Sequence, residues 1–135
     1  MASLAEFAGK WVFVKHENSE PLFAEMGIPD VAAKAMAAAK PSLEIYEDDG
    51  CWVLKEASQS SPKPHLEKFK LGEPTDILTM FGKRKIIATL EDGKLYTRGT
   101  TPGDDLVAVR ELVGDQLVAK VTKNNVTGVC YFCRA

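Results

Sequence analysis

Positive charge is not in excess in this chain. Seventeen Lys and Arg stand against 19 Asp and Glu in 135 residues, a formal net charge of −2, and the longest basic run is Lys83-Arg84-Lys85. Such a balance offers little to a phosphate backbone, and so short a run reads as a solvated strand edge, so no nucleic-acid partner is expected. A stretch apolar enough to cross a bilayer is also missing, and "MASLAEFAGKW" holds no basic leader followed by an apolar segment; a cytoplasmic protein is expected. Cysteine is scarce and odd in number, three in all, which suits a reducing compartment where disulfides are not expected. No nucleophile with a base beside it, no paired carboxylates and no metal-ligand cluster can be picked out, so neither an enzyme nor a cofactor is expected.

What is present is a composition of 45% hydrophobic and 27% charged residues, enough to enclose a core in a single domain over residues 1–135. Helical periodicity occurs in one place only, "ENSEPLFAEMGIPDVAAKAMAAAKP", which predicts two short helices. Asn18 or Ser19 would cap the first and Gly27 end it, with Leu22, Phe23 and Met26 as its apolar stripe; Asp30 would cap the second, which must stop before Lys40-Pro41. The rest reads as strands at short spacing, from "KWVFVKH" to "VTGVCYFC", separated by Asp48-Asp49-Gly50, the Ser/Pro loop within "ASQSSPKP", Asp92-Gly93, Gly114-Asp115, Asn124-Asn125 and similar signals. Counted together they make ten antiparallel strands, and a meander of that length closes to remove its edges. The expected architecture is all-β, a ten-stranded antiparallel up-and-down β-barrel with a helix-turn-helix lid.

Near the C-terminus Cys130 and Cys133 form a C-x-x-C. Side chains three apart on one strand face opposite sides of a sheet, so these thiols cannot bridge without destroying the strand. The helix N-terminus that lowers the thiol pKa in redox motifs is missing, and Cys51, His16 and His65 are too scattered to complete a zinc site. Both cysteines are expected to behave as small hydrophobes.

"FAGKW" (Phe7 to Trp11), Glu17-Asn18, "AKP" (Ala39 to Pro41), "FKLGE" (Phe69 to Glu73), "TLEDGKL" (Thr89 to Leu95) and "VREL" (Val109 to Leu112) occur in the order found in the intracellular lipid-binding proteins. Over essentially its whole length the chain resembles that family, the fatty-acid-binding proteins of the calycin superfamily. The resemblance implies a β-clam whose lidded cavity binds a small hydrophobic ligand, a long-chain fatty acid above all. It also implies a cytosolic monomeric carrier that can touch membranes transiently through its helical lid. A carrier of a retinoid or other less acidic amphiphile is the alternative, and a calycin-type enzyme a more distant one.

In the family's carboxylate-binding members, an Arg-x-Tyr on the last strand and an arginine from two strands earlier hold the carboxylate. Aligned on "VREL" and the C-terminus, that second arginine corresponds to Arg110, while Arg-x-Tyr is replaced by Cys130 and Phe132. One anchor of three remains. "LVAVREL" is equally apolar on both faces and so does not by itself orient Arg110; the family pattern turns it inward. A buried arginine needs an answer, from a ligand carboxylate, water, or Glu56, which shares a face with Trp52 and Leu54. Alternation in "QLVAKVTK" puts Ala119 and Val121 on the inner face with Leu117. Phe69, Arg84, and Phe23 and Met36 of the lid complete the expected lining, with His65 and Glu67 as polar residues at the mouth.

Overall fold

The computed structural model describes residues 4–38, 40–58, 61–79, 82–103 and 105–135. Four of its hairpins show how the turns set the register. The strands β2 (Ser42–Asp48) and β3 (Cys51–Ser58), β6 (Gly82–Glu91) and β7 (Lys94–Gly99), and β9 (Gln116–Lys123) and β10 (Val126–Arg134) are joined by two-residue loops. Both loop residues have positive φ in each case: Asp49 and Gly50, Asp92 and Gly93, Asn124 and Asn125. That is the type I′ pattern, whose twist matches the strands it joins. Between β8 (Val107–Val113) and β9 only Gly114 has positive φ, at 60°.

With β1 (Gly9–Glu17), β4 (Ser61–Phe69) and β5 (Thr75–Thr79), these strands form one antiparallel sheet in the order β4-β3-β2-β1-β10-β9-β8-β7-β6-β5. First and last strands pair with each other, so the sheet rolls into a nearly closed barrel whose seam lies between β4 and β5. Beyond β4, Leu71 makes a bridge to Ala88, and the Gly72 amide donates to the Ala88 carbonyl at 2.7 Å, which ties the seam to β6. The expected loop in "ASQSSPKP" proves to be mostly strand: Ser58 pairs with Ser61, and only residues 59–60 lie outside the described residues. Proline within a strand argued for a loop, but β4 is an edge strand, where a missing N–H costs no ladder bond.

One end of the barrel is packed solid. A 3-10 turn, Leu4–Phe7, places Phe7 against Trp11 of β1, both essentially inaccessible, and Trp11 Nε1 donates to the Phe7 carbonyl at 2.9 Å. Arg134 clasps this end. Its guanidinium lies 4.1 Å from the Trp11 ring centre and donates to the carbonyls of Ala8 at 2.6 Å and Glu6 at 2.8 Å. Gly9, at φ 126°, is glycine for two reasons, since a Cβ there would also meet Arg134 Nη1 at 2.8 Å.

Over the other end lie α1 (Ser19–Glu25) and α2 (Asp30–Ala38). Asn18 does occupy the N-cap of α1, but in the left-handed conformation and without a side-chain cap bond; its Nδ2 donates instead to the Thr127 carbonyl at 2.8 Å. Asn124 donates to Glu25 at 2.9 Å, so α1 is pinned to the β9–β10 hairpin at both of its ends. Asp30 lies inside the first turn of α2 rather than capping it and pairs with Lys34.

Candidate functional site

Residues directly opposite in an antiparallel pair project to the same face, so the strand registers define rows of side chains across the interior. One row runs Phe13, Phe132, Leu117, Leu112. It is filled: Phe132 and Leu117 are buried, and the Phe13 and Phe132 rings meet edge to face at 6.3 Å. Two residues nearer the lid, the row is His16, Cys130, Ala119, Arg110, Leu95. Beyond it come Gly128, Val121, Ala108, Thr97 and Ala88, a row with no side chain larger than valine. An eight-stranded barrel is about filled by its own side chains. Ten strands with so small a row leave room for a guest.

Leu22 of α1 closes that opening. A Cβ built on Gly128 would lie 2.8 Å from Leu22 Cδ2 and 3.3 Å from its Cβ, so the lid seats where β10 has no side chain. Phe23, the predicted lid contact, is half-buried beside it. The side chain of Met36 falls outside the described residues.

The middle row carries the chemistry. Arg110 faces inward, between buried Leu95 and Ala119, and its Nη1 is buried with no hydrogen-bond partner among the described residues. Burial pushes the Cys130 thiol up to about 12; the negative charge of Glu56 adds to this and the positive charge of Arg110 opposes it. Two strands separate β3 from β10 in the sheet, so the Glu56 field reaches Cys130 across the interior. Glu56 stands opposite buried Leu43, on the inner face as expected. Whatever else Glu56 meets, it leaves Nη1 of Arg110 unpaired.

Of the remaining predicted residues, Ala119 lies in the middle row, Val121 in the open row and Phe132 in the filled one. Phe69 is buried against the same core, paired with Trp52. Arg84 shares its face with Ile86 and stands opposite buried Ile77, and its Nη2 donates to the Leu106 carbonyl at 2.7 Å. Glu67 stands opposite Leu54; the His65 side chain is outside the described residues. Cys133 falls on the outer face beside Val12, and all three cysteines are free. An open groove of about 490 Å³ at the seam, lined by Cys51, Lys68, Phe69, Lys70, Glu73, Pro74 and Thr75, holds none of the middle row.

His16 is the residue of this row that sequence reasoning missed. Strict alternation from Trp11 turns Lys15 inward and His16 outward. The β1–β10 register skips between Phe13 and Lys15, so Val14 is an extra residue in a bulge, and the phase of β1 reverses after it. His16 then stands opposite Cys130, 5.8 Å from the Phe13 ring, with Nδ1 buried and without a hydrogen-bond partner among the described residues. No sequence signal marks this bulge.

A lidded β-barrel with small residues lining one half of its interior, and two buried polar nitrogens without partners among the described residues, has the features of a container for an amphiphilic ligand. No family model matches the chain. Fatty acid-binding protein homolog 5 of Caenorhabditis elegans is 32% identical over 128 residues, covering 92% of this chain and 93% of the relative. The adipocyte fatty acid-binding protein of Pygoscelis papua is 30% identical over 131 residues, 96% of this chain and 98% of its own. Lipid binding protein 8 of Caenorhabditis elegans superposes with a TM-score of 0.91 over 100% of this chain and 99% of its own at 24% identity. The chain belongs to the fatty-acid-binding protein family, a family of carriers and not enzymes.

Proposed function

We propose that this protein binds a long-chain fatty acid in the barrel interior, with the carboxylate at Arg110 and the tail among the inward faces of β8, β9 and β10, and carries it through the cytoplasm as a monomer. The observation that carries the reading is the buried Nη1 of Arg110, without a hydrogen-bond partner among the described residues, flanked in its row by Leu95 and Ala119. An isolated buried guanidinium is costly, and a ligand carboxylate answers it with a charge-assisted hydrogen bond. The names of the relatives point to the same ligand class. Access runs past Leu22, and the exposed face of α2, with Val31 and Lys34, gives the lid a surface for brief contact with a membrane. No described helix is long and apolar enough to cross a bilayer.

A second reading has its own observation: Cys130 and Phe132 offer no strong donor to an anion, which suits a less acidic amphiphile such as a retinoid. Mass spectrometry of lipid extracted from the purified protein separates the two. Long-chain fatty acids in the extract support the first reading; a retinoid or sterol-like molecule in their place overturns it.

A further inference from the structure

Two buried nitrogens with no hydrogen-bond partner among the described residues lie in one row, Nη1 of Arg110 and Nδ1 of His16. Their residues are joined through successive pairs, Arg110 to Ala119, Ala119 to Cys130, Cys130 to His16. Three strand spacings therefore separate their backbones, about 14 Å along the sheet. Ala119 and Cys130 between them are a methyl group and a thiol held in its neutral form, a floor over which a hydrocarbon segment can lie.

His16 is walled on one side by Phe13, at 5.8 Å, and Phe13 by Phe132. An acyl chain laid against this imidazole would keep water from Nδ1 and give it nothing in return. A buried polar atom left unmatched is penalised more than a matched one is rewarded, and a site of this kind discriminates strongly between a ligand that carries the matching oxygen and one that does not.

We infer that the interior selects an oxygenated fatty acid: the carboxylate meets Arg110, and a second oxygen farther along the chain, a hydroxyl or oxo group, hydrogen-bonds to Nδ1 of His16 across the Ala119–Cys130 floor. His16 is then the residue that sets specificity among acids, while Arg110 sets the preference for an acid over a neutral head group. This inference rests on the fatty-acid reading above.

The test uses the full-length, delipidated protein and displacement of a fluorescent fatty-acid probe by stearic acid and by a set of monohydroxystearic acids with the hydroxyl moved along the chain. One isomer should bind roughly tenfold more tightly than stearic acid, about 1.4 kcal/mol. In His16→Leu that advantage should vanish, chiefly because stearic acid, no longer laid against an unmet nitrogen, binds several-fold more tightly than it does to wild type; His16→Gln, which keeps a hydrogen-bonding group, should restore part of it. Circular dichroism and thermal melting confirm that both variants are folded. If no isomer exceeds stearic acid, or if stearic acid and the best isomer weaken equally in His16→Leu, the second oxygen is not read by His16 and the inference is overturned. If stearic acid itself fails to displace the probe, the fatty-acid reading is what fails, and this inference falls with it.

Discussion

Replacing Arg110 by methionine should move stability and affinity in opposite directions, because the same side chain is a burden to the empty protein and a partner to the filled one. Methionine keeps most of the length and the apolar stem but removes the guanidinium. In the delipidated protein Nη1 is a buried donor with no described partner, and an unmet buried donor costs about 1 to 3 kcal/mol. Arg110→Met should therefore be at least as stable as wild type without lipid, and up to about 2 kcal/mol more stable, read as a higher urea midpoint at unchanged slope.

With ligand the sign reverses. Burial of the tail supplies about 0.8 kcal/mol per methylene, on the order of 10 kcal/mol for an ordinary chain, and is untouched by the substitution. The bond from guanidinium to carboxylate adds about 1.5 to 3 kcal/mol. Oleic acid should thus bind roughly ten- to a hundredfold more weakly to Arg110→Met, and oleyl alcohol within about twofold of wild type, both measured by displacement of a fluorescent probe. Equal losses for acid and alcohol, or no loss for either, would show that Arg110 does not meet the carboxylate. A delipidated variant less stable than wild type by about 2 kcal/mol would refute the other half, since the guanidinium would then be satisfied in the empty barrel.

Gly128→Ala should push Leu22 off its seat, because the added Cβ would come within 2.8 Å of Cδ2; we expect about 1 kcal/mol of destabilisation and faster release of a bound fluorescent fatty acid, and unchanged release would mean that the lid does not seat on β10. Arg134→Ala should cost about 1 to 2 kcal/mol through loss of the bonds to Ala8 and Glu6 and the stacking on Trp11, and Arg134→Lys should rescue little of it because an ammonium cannot make the fork; a melting curve for each variant decides. The pKa of Cys130 rises from 9.0 to about 12 in the folded chain, so only the unfolded chain ionises it readily: its contribution to stability is present below pH 9 and is lost as the pH climbs toward 12. Urea midpoints across that window should fall less steeply in Cys130→Ala than in wild type. Glu56→Gln, by removing the charge that adds to burial, should speed alkylation of Cys130.

The strands and turns were legible because their signals are local. Asp-Gly and Asn-Asn pairs supply two successive positive φ values at little cost, and they fix three hairpins whose registers then follow without tertiary information. Closure was legible as well, since ten consecutive strands have nowhere else to put their edges. Pro62 and Pro64 misled because a proline reports a missing donor, not a missing strand. Whether that donor matters depends on which neighbour lies beside it, and β4 has none on the seam side. The N-terminus of α1 fell at Asn18 as read, yet its side chain serves the β9–β10 hairpin rather than the helix, a partner 109 residues away that local capping rules cannot see.

The site was harder to read than the fold for a related reason. "LVAVREL" is apolar on both faces because β8 is half-buried on both, so alternation cannot orient Arg110; only its pairing with Ala119 and Leu95 does so. In β1 a single extra residue, Val14, exchanges the inner and outer sets beyond it. The pattern from Trp11 is correct as far as Phe13 and inverted from Lys15 onward, which puts Lys15 over Tyr131 on the outside and His16 within. A one-residue slip carries no signature in composition because Val, Lys and His are all acceptable on a half-exposed strand. Its physical consequence is large all the same. With His16 outside, the middle row would hold one unmet nitrogen and call for a single anion. With His16 inside, it holds two among the described residues, and it is this second nitrogen that moves the inferred ligand from one polar end to two polar positions on one chain.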